Sequence, residues 1–256
     1  MSPRKKSSPH SSSGFFHKHR RGIEESGELS GLTRYFQGKE IYIVLSLIVV
    51  IAIIVFRDFL FLKKVYLFKD IGSDTINALY PQYIHVIDYL RTEGIPRWSF
   101  NQGMGQNIFP FWIRDPFIGI YYLVGRENIA YAIAYVEVFK IILAGFFFYL
   151  YLKMLRLSKY SMVVGGLLYS FTGFIILGGG WYVFSYEALC AALLLYSFEK
   201  FFQQNIWYLL PICFALIGIF QPFYLILYGM LTFVYATIRY VEEREYSFKN
   251  LLLLWL

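Results

Sequence analysis

Long uncharged stretches broken by short charged segments dominate the hydrophobic pattern of this chain. Residues 41–56, 161–186 and 201–238 carry no Asp, Glu, Lys or Arg. A helix over all of 201–238 would be about 57 Å long, nearly twice the roughly 30 Å hydrocarbon core of a bilayer, so the chain must turn within it. We expect the turn at Gln221-Pro222, because proline disfavours helix at the residue before it.

This pattern predicts an all-α protein, a polytopic bundle of about six transmembrane helices. Composition agrees, since 57% of the 256 residues are apolar and only 16% are charged, against roughly 25% charged in a soluble domain. The sequence ends in an apolar stub at 251–256, from which we expect the chain to be the N-terminal part of a longer protein. The predicted spans are 41–62, 129–152, 160–177, 183–200, 206–220 and 223–238.

The distribution of Lys and Arg predicts the orientation of these spans. Residues 1–40 are polar and basic and hold most of the net charge of +7, and we expect them to form a disordered cytoplasmic tail. Further cations follow in the connections at 153–159 and 239–249. The positive-inside rule then places residues 63–115 outside the cytoplasm as one long first loop. The charge therefore suits a lipid bilayer, and no nucleic-acid partner is expected.

The first loop begins with an amphipathic pattern and two acidic residues. Apolar positions recur every three or four residues from Asp74 to Arg91, which predicts a helix along the membrane surface. Asp70 and Asp74 precede or begin this helix at the membrane boundary. A carboxylate there can act as general base toward an acceptor hydroxyl. The structural alternative is that Asp74 caps the helix and Asp70 pairs with a nearby lysine.

The second half of the loop combines aromatic, basic and acidic side chains. Trp98 or Trp112 could line a sugar subsite, Arg114 could hold a phosphate, and Asp115 is a further acid. The alternative is that the aromatic rings anchor the protein among lipid headgroups.

Two charged residues lie inside a predicted span. Glu137 and Lys140 are three positions apart and can pair, while charge within a membrane is also an indicator of function. No cofactor is predicted apart from a divalent cation that Asp70, Asp74 and His85 could share.

Several strings identify a resemblance to a known family. The segment DIGSDTINALYPQYIHVIDYLRTEGIPRWSFNQGMGQN, then RDP, LYSFTGF and QPFYLILY, resembles the N-terminal half of the bacterial YfhO family of large multispanning proteins. The similarity covers about 68–240. It implies a GT-C-type glycosyltransferase of the bacterial cytoplasmic membrane that takes sugar from a polyprenyl-phosphate donor. The acceptor would be an extracytoplasmic cell-envelope polymer such as teichoic acid.

The resemblance also implies roles for particular residues. Asp70 and Asp74 match the family's early acidic pair and Asp115 matches its later acid. The residues of the same motif that would bind substrate are Gln82, Trp98, Asn101 and Gln102. In the leading hypothesis Asp70 is the general base, Asp74 or Asp115 orients the acceptor or a metal, and Arg114 or Lys140 offsets phosphate charge. The alternative is a lipid or polysaccharide transporter, or a membrane assembly subunit without chemistry.

Overall fold

The computed structural model describes residues 38–67, 74–177 and 182–243. Within these ranges the protein is mostly helical, as predicted. All the packing described below is within the unit Ile41–Leu256. The predicted tail up to residue 37, the apolar stub and Asp70 lie outside the described residues.

The described elements follow one another with short connections. The helices are α1 Glu40–Val55, α2 Arg57–Leu60, α3 Tyr80–Thr92, α4 Phe109–Ile113, α5 Ile118–Val124, α6 Ile129–Met154, α7 Lys159–Ser170, α8 Gly173–Leu177, α9 Val183–Gln204, α10 Leu209–Phe220 and α11 Pro222–Glu243. A π-helical turn, Thr75–Leu79, precedes α3. Two short strands, β1 Trp98–Ser99 and β2 Gln106–Asn107, form an antiparallel hairpin with Trp98 opposite Asn107.

Among the described residues, three helical segments are long and apolar enough to cross a membrane: Ile129–Met154, Lys159–Ile176 and Pro222–Val241. The helices Glu40–Val55 and Leu209–Phe220 are apolar but shorter. Helix α9 has 22 residues, and it carries three charged side chains, at Glu187, Glu199 and Lys200. The sequence predicts about six spans, and three of them have the length and composition that crossing a membrane requires.

Helix α6 lies at the centre of the bundle. It packs most extensively against α9 and α7, and it buries residues along its whole length, while Tyr131, Tyr135 and Phe139 form an exposed stripe. A helix that is apolar all round is expected at such a central position. The core it forms with α9 and α10 includes Ile133, Ile141, Leu194 and Ile217, each at most 2% exposed.

Small residues bring α6 and α7 into close contact. A Cβ atom added to Gly145 of α6 would lie 1.8 Å from Ser170 Oγ and 3.0 Å from the backbone oxygen of Gly166, both on α7. The Ser170 hydroxyl donates to that same Gly166 oxygen at 3.1 Å. Glycine is required here because any side chain would push the two backbones apart.

The predicted loop helix forms, but in two parts. Thr75–Leu79 is a π-helical turn and the α-helix begins at Tyr80, with Pro81 in its first turn. Proline lacks the N–H needed for a helical bond, so the change of helix type just before Pro81 accommodates it. Tyr83, Val86 and Ile87 are buried, and therefore this face packs on the protein rather than on lipid.

A buried ion pair joins the C-terminal ends of α9 and α11. Glu199 is fully buried, and its Oε1 lies 2.9 Å from Arg239 Nε. Tyr235 donates to Glu199 Oε1 and Gln203 donates to Glu199 Oε2, both at 2.5 Å. These contacts satisfy the carboxylate, which burial otherwise makes costly.

Candidate functional site

A cavity of about 440 Å³ lies where α9 begins and where α10 gives way to α11. Residues from four separate segments of the chain line it. They are Asp74, Ala78 and Leu79 from the π-helical turn, Arg114 from the end of α4, Val183 and Phe184 from the start of α9, and Phe220, Gln221 and Tyr224 from the α10–α11 corner. The volume is within the range of small-molecule sites, and an apolar lining with a few polar groups is typical of them.

Arg114 supplies positive charge to this cavity. Its guanidinium lies over the Phe220 ring, 5.1 Å from the centroid. Within the described part of the chain its Nε is buried and has no hydrogen-bond partner. An arginine in a cavity wall can bind an anionic ligand group, and arginine suits phosphate in particular.

Asp74 supplies negative charge to the same cavity. It stands at the N-cap position of the π-helical turn, but its side chain makes no capping hydrogen bond. The capping role considered from the sequence is therefore not what orients this carboxylate. Asp74 and Arg114 are 40 positions apart, and the fold brings both to one cavity.

Asp115 faces the protein interior instead. Its Oδ2 lies 2.7 Å from Lys140 Nζ, and its Oδ1 accepts from the Phe117 backbone N–H at 2.8 Å. Asp115 therefore fixes the corner between α4 and α5, directly beside the cavity residue Arg114. Lys140 is only 1% exposed and also lies over the Phe117 ring, at 5.7 Å.

The ion pair expected between Glu137 and Lys140 of α6 is present and extends to a second helix, α9. Lys140 Nζ donates to Glu137 Oε1 at 3.0 Å, and Ser185 Oγ of α9 donates to Glu137 Oε2 at 2.5 Å. The buried cluster thus contains two carboxylates, Asp115 and Glu137, around one lysine. Lys140 is enclosed by both of them, and it does not line the cavity.

Two tyrosines, one on α3 and one on α5, pack beside this cluster. The rings of Tyr83 and Tyr121 lie 5.2 Å apart. Burial raises the pKa of both phenols, so both keep their protons at neutral pH. The Tyr121 hydroxyl is buried and has no hydrogen-bond partner among the residues that the structure describes.

The hairpin holds most of the remaining predicted binding residues. Trp98 is 53% exposed, Asn101 is exposed and Gln102 is half-buried. The hairpin is tied to α3, because His85 Nε2 and Ser99 Oγ form a hydrogen bond of 2.8 Å. None of these residues lines the cavity, and neither does the half-buried Gln82 of α3.

The divalent cation considered from the sequence has no ligand set in the described ranges. No three His, Cys, Asp or Glu residues come together there as a group that could hold a metal ion. Of the three ligands proposed for it, His85 binds Ser99, Asp74 lines the cavity, and Asp70 lies outside those ranges.

Sequence reasoning missed most of the cavity lining. Val183, Phe184, Phe220 and Tyr224 are apolar or aromatic residues in predicted spans, and nothing in their local pattern distinguishes them from core. One feature of the sequence could have pointed to this part of the cavity. Gln221-Pro222 marks a turn, and turns between spans lie at the ends of the bundle, where a loop can close over them.

Comparison with known protein families identifies the chain. The sequence profile of a bacterial membrane protein family, YfhO, matches residues 44–255. The chain belongs to the YfhO family. Comparisons with curated proteins and with solved structures give no significant match. The YfhO match includes every residue that lines the cavity and the whole buried cluster around Lys140, so both are features of the family region of the chain.

Proposed function

We propose that this YfhO-family protein is a GT-C-type glycosyltransferase that moves a sugar from a polyprenyl-phosphate donor to a cell-envelope polymer such as teichoic acid. The observation that carries the proposal is the cavity that Asp74 and Arg114 share at one end of the apolar helices. A lipid-borne phosphate needs a cation at the membrane boundary, and an acceptor hydroxyl needs a nearby base. The cavity offers both groups together.

The proposed topology puts this end of the bundle outside the cytoplasm. In it the chain crosses the bacterial cytoplasmic membrane about six times with its N-terminus inside. Three of these crossings are the long apolar segments. The other three are α1 together with α2, α9 and α10. Charge supports this orientation, because Lys153, Arg156 and Lys159 lie where α6 ends and α7 begins, at the end of the bundle remote from the cavity.

In the proposed reaction the acceptor hydroxyl attacks the anomeric carbon of the donor sugar. The new C–O bond forms as the bond from that carbon to the phosphate oxygen breaks, and the polyprenyl phosphate leaves with the electron pair. The acceptor proton passes to a carboxylate of the first loop. Asp74 is the carboxylate at the cavity and we assign it this role, with Asp70, four positions earlier, as the alternative base. General-base help of this kind contributes about 10²- to 10⁴-fold.

Arg114 is the residue we assign to the departing phosphate. Its guanidinium is in the cavity wall, whereas the Lys140 ammonium is enclosed by Asp115 and Glu137. We therefore give Lys140 and Asp115 a positioning role: they hold the corner that carries Arg114. The exposed hairpin, with Trp98, Asn101 and Gln102, and the half-buried Gln82 of α3 are assigned to the acceptor polymer, which is too large for the cavity.

Transfer of labelled sugar tests the proposal. Full-length protein in lipid vesicles is given undecaprenyl phosphate carrying a radiolabelled monosaccharide, together with purified teichoic acid. We expect label in the polymer and release of undecaprenyl phosphate. Movement of the labelled lipid across the vesicle without product would favour the transporter alternative. Absence of both would contradict the proposal.

A further inference from the structure

The buried cluster of two carboxylates and one lysine reaches two separate parts of the cavity lining. Asp115 directly follows Arg114, which lines the cavity from the end of α4. Ser185 directly follows Val183 and Phe184, which line the cavity from the first turn of α9. Both Asp115 and Ser185 are buried. The cluster therefore holds a residue next to each of two lining segments that are far apart in the chain.

The contacts within the cluster are continuous from one lining segment to the other. Lys140 Nζ lies 2.7 Å from Asp115 Oδ2 and 3.0 Å from Glu137 Oε1. The Ser185 hydroxyl donates to Glu137 Oε2 at 2.5 Å, and Asp115 Oδ1 accepts from the Phe117 backbone N–H at 2.8 Å. Every carboxylate oxygen thus has a partner. Charge-assisted bonds of this kind are strong in a buried setting, so the cluster fixes the start of α9 relative to the end of α4.

Val183 and Phe184 form an apolar wall of the cavity that continues to the lipid-facing surface. The Phe184 ring lies 5.0 Å from the ring of Phe174 on α8, centroid to centroid. Phe174 is 51% exposed and belongs to Lys159–Ile176, one of the long apolar segments. An exposed aromatic side chain in such a segment faces lipid in the proposed topology. The apolar wall is therefore the part of the cavity next to the bilayer, where a lipid tail can enter.

We propose that the apolar wall binds the isoprene units next to the phosphate of the lipid donor, while Ser185, held by Glu137, keeps this wall in position relative to Arg114. This inference rests on the proposed function, since it names the part of the donor that each lining segment contacts. Arg114 binds the phosphate, the apolar wall binds the isoprenoid, and Ser185 is a positioning residue that touches neither. Loss of the Ser185 hydroxyl should therefore weaken binding of an isoprenoid phosphate and leave binding of a phosphate without a lipid tail unchanged.

The test compares two phosphate monoesters on purified full-length protein in nanodiscs. Methyl phosphate offers the phosphate alone, and farnesyl phosphate adds a short isoprenoid chain. Each competes with radiolabelled undecaprenyl phosphate, which gives both affinities on one scale. We expect the wild type to prefer farnesyl phosphate, because apolar burial adds to the phosphate contact. Every variant is measured in the same lipid, so partitioning of the probe into the bilayer is the same for all of them.

Two substitutions should reduce this preference for farnesyl phosphate. Ser185→Ala should reduce it about tenfold, the lower end of the range for one lost hydrogen bond to a charged group. Phe184→Ala removes most of the apolar wall and should reduce it by at least about tenfold. Arg114→Gln should weaken both probes, because both carry the phosphate.

Ser197→Ala is the matched control on the same helix. Ser197 is also buried, but its hydroxyl donates within α9, to the Leu193 backbone oxygen at 2.6 Å. Its loss breaks a single neutral bond away from the cavity, so the preference should stay within about twofold of the wild type. Ser185→Thr keeps the hydroxyl and should restore the preference that Ser185→Ala loses.

Cross-linking gives a second measurement on the unaltered protein. Farnesyl phosphate with a diazirine on its first isoprene unit is bound in nanodiscs and activated by light. Mass spectrometry of the digested protein should then find the adduct on Val183 or Phe184. Excess undecaprenyl phosphate should suppress it.

The outcomes separate this inference from the function on which it rests. If Ser185→Ala weakens both probes alike or neither, or if the adduct lies away from the apolar wall, the inference is overturned and the lipid-phosphate site stands. If the wild type does not bind undecaprenyl phosphate, the proposed function fails and this inference fails with it. Selective loss of farnesyl phosphate in Ser185→Ala and Phe184→Ala, with Ser197→Ala unchanged, supports the assignment.

Discussion

At the scale of single residues, the acids of the first loop divide by environment rather than by sequence position. Asp74 and Asp115 both belong to the polar segments of that loop, yet Asp74 lines a cavity and Asp115 is 6% exposed and bound to Lys140. The Asp115 carboxylate is occupied by Lys140 and by the Phe117 backbone N–H, and Asp115 does not line the cavity. We therefore expect the general base to be Asp74 or Asp70.

Asp74→Asn and Asp70→Asn, made separately, test which carboxylate is the base. The amide keeps the shape of the side chain but cannot accept the proton, so turnover should fall about 10²- to 10⁴-fold for the base and less for the other residue. Sugar transfer in vesicles measures this. Glu127→Gln, an exposed acid in the connection between α5 and α6, is the control and should keep full activity. Full activity in both Asp variants would exclude these residues as the base.

Lys140→Met tests the buried cluster. The substitution leaves Asp115 and Glu137 buried without their cation, and breaking a buried pair costs about 3–5 kcal/mol. Thermal unfolding in detergent should show a clear loss of stability. Adding Asp115→Asn and Glu137→Gln to Lys140→Met should restore part of it, because no charge then remains. If Lys140→Met alone unfolds like the wild type, the cluster contributes nothing to the fold.

At the scale of elements, the uncharged stretches of the sequence predicted where helices lie. Helix α6 begins at Ile129 as expected from its apolar run, and α10 ends one residue before Gln221-Pro222. The π-helical turn before α3 was not predicted, because its cause, Pro81, was inside a continuous amphipathic pattern.

Side-chain pairing was predictable only within one helix, as for Glu137 and Lys140. The partners Asp115, Ser185 and Arg239 come from distant segments, and local patterns carry no information on them.

The contact between α6 and α7 gives a prediction at this scale. Gly145→Ala should destabilise the protein by about 1–3 kcal/mol, the range for overpacking, because its Cβ would meet Ser170 Oγ at 1.8 Å. Gly229→Ala in α11 is the matched control, since a Cβ there has nothing within 4 Å. Alanine is the better helix former, so that variant should unfold at the same or a higher temperature. Equal melting temperatures for the two variants would contradict close packing of α6 on α7.

At the scale of the whole molecule, the cavity, the hairpin and α3 lie at one end of the bundle, and the connection between α6 and α7 lies at the other. This division follows from chain direction. Helix α6 begins just after the loop that carries α3, the hairpin and α5, and it ends at Met154, before the cations of the next connection. The polar groups that the proposed reaction needs are therefore at one end of the bundle, and the connection rich in Lys and Arg is at the other.

Cysteine labelling tests which side faces outward. In a background with Cys190 and Cys213, both buried, replaced by alanine, Asn101→Cys places a thiol on the exposed hairpin and Ser158→Cys places one between α6 and α7. A membrane-impermeant maleimide added to intact cells should label the first fully and the second only after lysis, because positive charge retains the α6–α7 connection in the cytoplasm. The reverse pattern would put Asp74 and Arg114 on the cytoplasmic side, where no extracytoplasmic polymer could reach them. That single result would remove the proposed reaction while leaving the helical fold and the buried cluster as described.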